Sequence, residues 1–171
     1  MYEKSIELLK QAVADELSGV HQYMYFHFHC DDQGLDLISN LFRRTAIEEM
    51  MHIERIAERI LFLKGEVELK PSHEPAKILD VREMLAVACR LELQSIQDYN
   101  QWANVCASHS DSVTRKLFED LVVDEERHFR QYDDEQGNIG RYGESYLAQQ
   151  SMERSRNVAA AAPVRQGKPG A

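Results

Sequence analysis

The chain has 171 residues, of which 43% are apolar and 29% charged, a balance that suits one soluble globular domain with a sizeable core and excludes an intrinsically disordered protein. A net charge of −9 argues against nucleic acid as a partner, since phosphate binding needs a basic face, and no apolar run approaches the roughly 18 residues of a membrane span. The opening residues, Met-Tyr-Glu-Lys-Ser-Ile-Glu, lack a basic region followed by an apolar run, so the expected location is the cytoplasm.

The first helix is expected at about 4 to 30, where Ile6, Leu9, Val13, Leu17, Val20 and Met24 follow a 3.6-residue period. Asp31, Asp32, Gln33 and Gly34 make a turn, after which Leu37, Leu41, Thr45, Glu49, His52, Ile56 and Ile60 carry a second helix to about Leu63. Gly65, Pro71 and Pro75 mark an irregular connection of about 15 residues, and Asp80 can cap a third helix bearing Met84, Val87, Leu91, Ser95, Tyr99, Trp102 and Cys106. Ser108 to Ser112 reads as a polar turn, and Leu117, Leu121, Glu125, His128 and Tyr132 carry a fourth helix to about Gln136.

A helix of about 27 residues spans roughly 40 Å, and about 15 extended residues can cross some 50 Å. The second connection can therefore return along the whole bundle, while the short turns force antiparallel neighbours. The expected fold is an all-α, antiparallel four-helix bundle with one long crossover. Gly137, Gly140 and Gly143 should interrupt the fourth helix, leaving room for a short fifth helix around Tyr142 to Gln149. Residues 150–171, rich in Ala, Pro, Gly and Arg, read as a disordered tail outside a domain at 1–149. That tail carries +3, which leaves −12 on the body and an electrostatic attraction for cations.

Two E-x-x-H motifs occur, Glu49 with His52 and Glu125 with His128, and the i, i+3 spacing puts each pair on one helix face. One such motif is weak. An internal repeat strengthens it: Glu16-Leu17-x-x-Val20-x-x-Tyr23 matches Glu92-Leu93-x-x-Ile96-x-x-Tyr99, and each lone glutamate precedes its E-x-x-H by 33 residues. For any residue alone, a surface glutamate or a hydrogen-bonded core histidine is the ordinary reading, but all four glutamates lie among apolar core positions. Four unpaired buried carboxylates would cost several kcal/mol each, together more than the ~5 to 15 kcal/mol by which a domain is stable. No lysine or arginine shares their face, whereas two divalent metals would bring +4 against −4, with two imidazoles completing the shells. Oxygen donors with one imidazole per metal suit Fe(II), Mn(II) or Zn(II).

At these residues the chain resembles bacterioferritin, over about Lys4 to Gln149. Glu49-Met50-Met51-His52, Glu58-Arg59-Ile60-Leu61-Phe62-Leu63 and Asp124-Glu125-Glu126-Arg127-His128 are similar to that family's second and fourth helices. The resemblance implies a ferritin-like fold and two Fe ions per subunit, with Glu49 and Glu125 bridging, Glu16 and His52 completing one position, and Glu92 and His128 the other. It implies ferroxidase activity, oxidation of Fe(II) by O2 or H2O2, with ferric mineral stored in a 24-subunit cage built from dimers. It further implies a haem-type porphyrin shared by two subunits, held here by Met50, with Met51 the rival, and an electron donor such as a ferredoxin or rubredoxin for iron release. Tyr23 resembles a family tyrosine beside the centre, a core tyrosine bonded to a carboxylate being the equal alternative.

There are departures. Arg44 stands where the family pattern has an inner-surface histidine, with Glu48 keeping an acid nearby, and Gln131 stands where some members have a tryptophan. His21, His27, His29, His73 and His109 show no ligand spacing and read as surface or packing residues. Two competing readings are a peroxidase resembling rubrerythrin, which would bring a C-x-x-C pair that Cys30, Cys89 and Cys106 do not form, and a non-catalytic cage, for which the buried carboxylates would be an unexplained cost.

Overall fold

The structure, a computed structural model, describes residues 2–161. Five helices and no strand occur among them: α1 Glu3–Asp32, α2 Asp36–Phe62, α3 Val81–Ser108, α4 Ser112–Tyr142 and α5 Glu144–Ala161. The first four form the expected antiparallel bundle. It consists of two tightly packed hairpins, α1 with α2 and α3 with α4, and the hairpins meet through α1 against α3 and α2 against α4.

The turns explain the hairpins. Gly34 takes a φ of 76° between α1 and α2, and Asp111 caps α4 by accepting from the Thr114 N–H at 3.1 Å. Asp80 caps α3 as its sequence position predicted, accepting from Glu83 N–H at 2.9 Å. The crossover between α2 and α3 runs alongside α1 in the same direction. Lys10 Nζ meets Glu68 at 2.6 Å, the Ser72 and His73 N–H groups bond Ser18 Oγ at 2.9 and 3.2 Å, and Gln22 clasps the Ala76 backbone through both amide atoms. At its start Gly65 passes so close to Ile6 and Ile60 that a Cβ would sit 2.8 and 2.9 Å from their methyl carbons, which only glycine avoids.

The core falls into two apolar clusters. Phe26, Ile38, Phe42, Met84, Leu85, Tyr132 and Ile139 pack in one, and Leu9, Val13, Ile56, Ile60, Phe118 and Leu121 in the other. Positions 76 residues apart correspond between the hairpins, as Leu9 with Leu85, Tyr23 with Tyr99, Cys30 with Cys106 and Phe42 with Phe118. Several expected core positions shift. Ile38 is fully buried while its neighbour Leu37 is 57% exposed, because the stripe on α2 begins one residue later, and Ala12, Tyr23 and Phe26 lie deeper than Leu17, Val20 and Met24.

The C-terminal expectation needs larger correction. Helix α4 runs straight through Gly137 and Gly140, each of which costs about 1 kcal/mol in a helix, because Ile139 between them is anchored in the core. The stop is Gly143, whose φ of 62° is left-handed. Nor does the fifth helix end at Gln149. It continues to Ala161, since residues 144–161 contain neither Gly nor Pro, and Arg154 Nη1 holds it to Asp31 at 3.2 Å and Asp36 at 3.1 Å. The rest of the expected disordered tail, 162–171, lies outside the described residues. None of the described helices is long and apolar enough to cross a membrane.

Candidate metal centre

Between the two apolar clusters, all six candidate ligands converge: Glu16 from α1, Glu49 and His52 from α2, Glu92 from α3, Glu125 and His128 from α4. None is more than 5% exposed. They form two overlapping groups whose ligand atoms lie within 4.8 Å of one another, Glu16, Glu49, His52 and Glu125 in one and Glu49, Glu92, Glu125 and His128 in the other. Glu49 and Glu125 belong to both, as bridging carboxylates would. Helix geometry sets this up, because E-x-x-H on α2 and α4 aims two side chains inward from adjacent turns, while α1 and α3 each add one carboxylate at the same level.

The histidines are turned alike. His52 Nδ1 faces Glu49 at 2.8 Å, Glu125 at 3.2 Å and Glu16 at 3.4 Å; His128 Nδ1 faces Glu125 at 3.1 Å, Glu49 at 3.3 Å and Glu92 at 3.8 Å. The ring centroids are 5.9 Å apart. Although His52 Nδ1 and Glu49 Oε2 are only 2.8 Å apart, they are not aligned as donor and acceptor, and both, like Glu125 Oε1, have no hydrogen-bond partner among the described residues. Buried polar atoms are rarely left so, and a cation shared among them is the chemistry that would satisfy all three.

Electrostatics point the same way. Burial pushes Glu16 and Glu92 well above the carboxylate range, with the Glu49 charge adding to it, whereas the two histidines close beside Glu49 overrule burial there and hold it at about 2. Burial by itself would push the two histidines down, yet the converging carboxylates raise both. The converging carboxylates thus favour positive charge between them, whether carried by a protonated imidazole or by a metal ion.

The outward nitrogens reveal residues that sequence reasoning missed. His128 Nε2 lies 2.7 Å from Glu48 Oε2 and His52 Nε2 lies 3.3 Å from Asp124 Oδ2, so each histidine is oriented by the acid that precedes the other motif's glutamate. Burial would raise both acids, but hydrogen bonds from Arg127 and the histidines keep Glu48 and Asp124 below their usual ranges. The signal was present: both motifs read acid-Glu-x-x-His. Tyr23 and Tyr99 cross between α1 and α3, Tyr23 Oη donating to Glu92 at 2.5 Å and Tyr99 Oη to Glu16. A cavity of about 120 Å³ between α1 and α3 reaches Glu16, Glu49 and Glu92, past Asp15, Asp98 and Trp102.

The remaining predicted positions stand apart. Met50 and Met51 are 50% and 54% exposed on the outer side of α2, Arg44 is exposed, and His27 packs on Ser39. All three cysteines are buried free thiols; burial pushes Cys30 up to about 12 and Cys89 to about 11, where they are unreactive.

Residues 6–141 match the ferritin-like domain family. A bacterioferritin of Desulfovibrio desulfuricans is 34% identical over 145 residues, covering 85% of this chain and 81% of that one. The chain belongs to the bacterioferritin family. A Rhodobacter capsulatus bacterioferritin is 36% identical over 127 residues, covering 73% and 78% of the two chains. The crystal structure of the D. desulfuricans bacterioferritin, with its diiron site in different catalytic states, superposes with a TM-score of 0.84 over 98% of this chain and 92% of that one, at 30% identity. The buried carboxylate and histidine groups of this bacterioferritin chain are compatible with a ferroxidase centre.

Proposed function

We propose that the chain is the ferroxidase and storage subunit of a bacterioferritin, which oxidises Fe(II) with O2 or H2O2 at the six-ligand centre and stores the ferric product inside a cage of 24 copies. The observation that carries this is the convergence of four buried carboxylates and two inward-facing imidazoles, with unsatisfied oxygens between them. Glu16 and His52 would hold one Fe(II), Glu92 and His128 the other, and Glu49 and Glu125 would lie between. Four carboxylates balance two divalent ions in charge. Taking one electron from each Fe(II) and two protons, O2 becomes hydrogen peroxide.

The chain's own residues prepare that reaction. Tyr99 and Tyr23 fix the orientation of Glu16 and Glu92, Asp124 and Glu48 fix the two histidines, and the two apolar clusters exclude bulk water above and below. The cavity between α1 and α3 gives small reactants access, and Asp15 and Asp98 at its lining favour cations.

Met50 would hold a haem-type porphyrin shared by two copies; its half-exposed thioether on α2 is compatible with that role, as is that of neighbouring Met51. Bound there, such a group would carry electrons, supplied by a ferredoxin or rubredoxin, for iron release. Met50→Leu should abolish the bis-methionine absorbance, and persistence of that spectrum would transfer the role to Met51. The cage is expected in the cytoplasm.

Aerobic addition of Fe(II) followed in the near ultraviolet tests the main reading. Oxidation no faster than in protein-free buffer would overturn it in favour of a non-catalytic cage. A rubrerythrin-like peroxidase is disfavoured by the three separated, buried cysteines, which form no rubredoxin-type site.

A further inference from the structure

The two halves of the centre correspond at a spacing of 76 residues, and the correspondence breaks inside the motifs, where Met50 and Met51 are matched by Glu126 and Arg127. Glu49 matches Glu125 and His52 matches His128, but the counterpart of Arg127 is Met51, whose exposed side chain forms no such link. Arg127 is therefore single. Its Nη2 donates to Glu48 Oε2 at 2.7 Å and to Asp124 Oδ1 at 3.0 Å. Those two acids are the ones that meet the outward nitrogens of the histidines, Glu48 at His128 Nε2 and Asp124 at His52 Nε2. One guanidinium thus closes a chain that runs from one imidazole, through both acids, to the other.

We propose that Arg127 is a positioning residue that locks both imidazoles of the centre at once, so that the two metal positions retain and release their ions as a unit. The inference rests on the di-metal reading above. A planar guanidinium suits this task because its N–H groups diverge in a fixed fork and can engage two carboxylates together, which a lysine ammonium does only as a flexible point charge. Glu48 receives Arg127 and His128 on the same oxygen, so losing the guanidinium frees that carboxylate to swing toward solvent and leaves the imidazole without its orienting partner. Asp124 keeps a second, longer contact to Arg55 Nη1 at 3.5 Å, which makes the His52 side the better retained of the two once Arg127 is gone.

The test loads the full-length protein with Co(II), whose visible absorbance reports each position without turnover, and then adds excess chelator. Wild-type protein should take up two Co(II) per subunit and lose both in one kinetic phase. Arg127→Gln should fold and assemble normally, bind two Co(II), and release them about tenfold faster in two resolved phases, the scale expected when an orienting partner of a metal-bound histidine is removed. Arg127→Lys should behave like Arg127→Gln. In the Glu48→Gln, Asp124→Asn background, adding Arg127→Gln should change nothing further, because the guanidinium acts only through those acids. A single unaltered phase in Arg127→Gln, full rescue by lysine, or an undiminished effect of Arg127→Gln in that background would each overturn the proposal. Wild-type protein that bound no Co(II) would instead remove the metal centre itself, and this inference with it.

Discussion

Tyr23 Oη donates to Glu92 Oε1 across 2.5 Å, a buried bond that ties α1 to α3 at the level of the candidate centre. Burial and the neighbouring Glu92 charge push the phenol well above its ordinary value, so at neutral pH it is a donor and not an anion. Tyr99 does the same for Glu16. Tyr23→Phe removes one hydroxyl from a packed site and leaves a carboxylate short of a partner, which costs about 1 to 3 kcal/mol. The expected outcome is a folded protein whose Co(II) affinity falls about tenfold at the position served by Glu92. Unchanged affinity would mean that the bond serves packing alone.

Metal binding should depend steeply on pH. Glu16, Glu92, His52 and His128 all have values raised above their ordinary ones, so in the metal-free protein they hold protons to higher pH than free side chains do, and an incoming cation must displace those protons. Raised values mean that protons compete more strongly as pH falls. Co(II) affinity should therefore be at least about tenfold weaker at pH 6 than at pH 8, with protons released to the medium on binding. Isothermal titration in two buffers of different ionisation heat measures both quantities, and binding without proton release would contradict the assignment.

Removing one carboxylate from the cluster should harm the chemistry and spare the fold. Glu125→Ala removes one of the carboxylates that both imidazoles face, and an imidazole that sheds its proton then restores the charge balance, so stability without metal should stay level. The stabilisation that saturating metal adds, about 2.7 kcal/mol at a hundredfold excess over Kd, should fall sharply. Thermal melts with and without Co(II) distinguish this from a structural glutamate, whose loss would lower both curves equally.

At the far end of the bundle Asp111 is 2% exposed, caps α4 and pairs with Arg59 Nη2 at 2.6 Å. Burial would raise its value, but bonds from Thr114 and the Arg59 charge hold it below the ordinary range. A depressed carboxylate adds stability that is present above its unfolded value near ~3.9 and is lost as pH falls through the folded one. Asp111→Asn should therefore flatten the acid limb of the stability curve. Asp111→Ala, which loses the cap and strands Arg59, should cost about 2 kcal/mol and roughly 4 to 8 °C in Tm at neutral pH.

Arg154→Ala should loosen α5 without loosening the bundle. The guanidinium is partly exposed, so each of its ion pairs is worth at most about 1 kcal/mol after solvent screening. Hydrogen exchange should accelerate across residues 150–161 while the global melting temperature stays nearly constant.

Sequence alone sufficed for the bundle and for picking out the six residues that converge as candidate ligands. Both depend on local periodicity: a 3.6-residue stripe marks a buried face, an i, i+3 pair shares that face, and equal 33-residue intervals put glutamates level across an antiparallel hairpin. Where helices end was less legible, because Gly137 and Gly140 weaken a helix that the burial of Ile139 still holds, and because the helix-forming residues 150–161 share their composition with a segment bearing Pro and Gly.

Only the tertiary structure decided which side chains serve the candidate ligands. Glu48 orients the histidine 80 residues away and not the one on its own helix, and Tyr99 reaches Glu16 from 83 residues off. Arg127 bridges two acids that lie on different helices. Such pairings depend on the rotation and register of one helix against another, which packing of the whole core sets, and no window of sequence contains them.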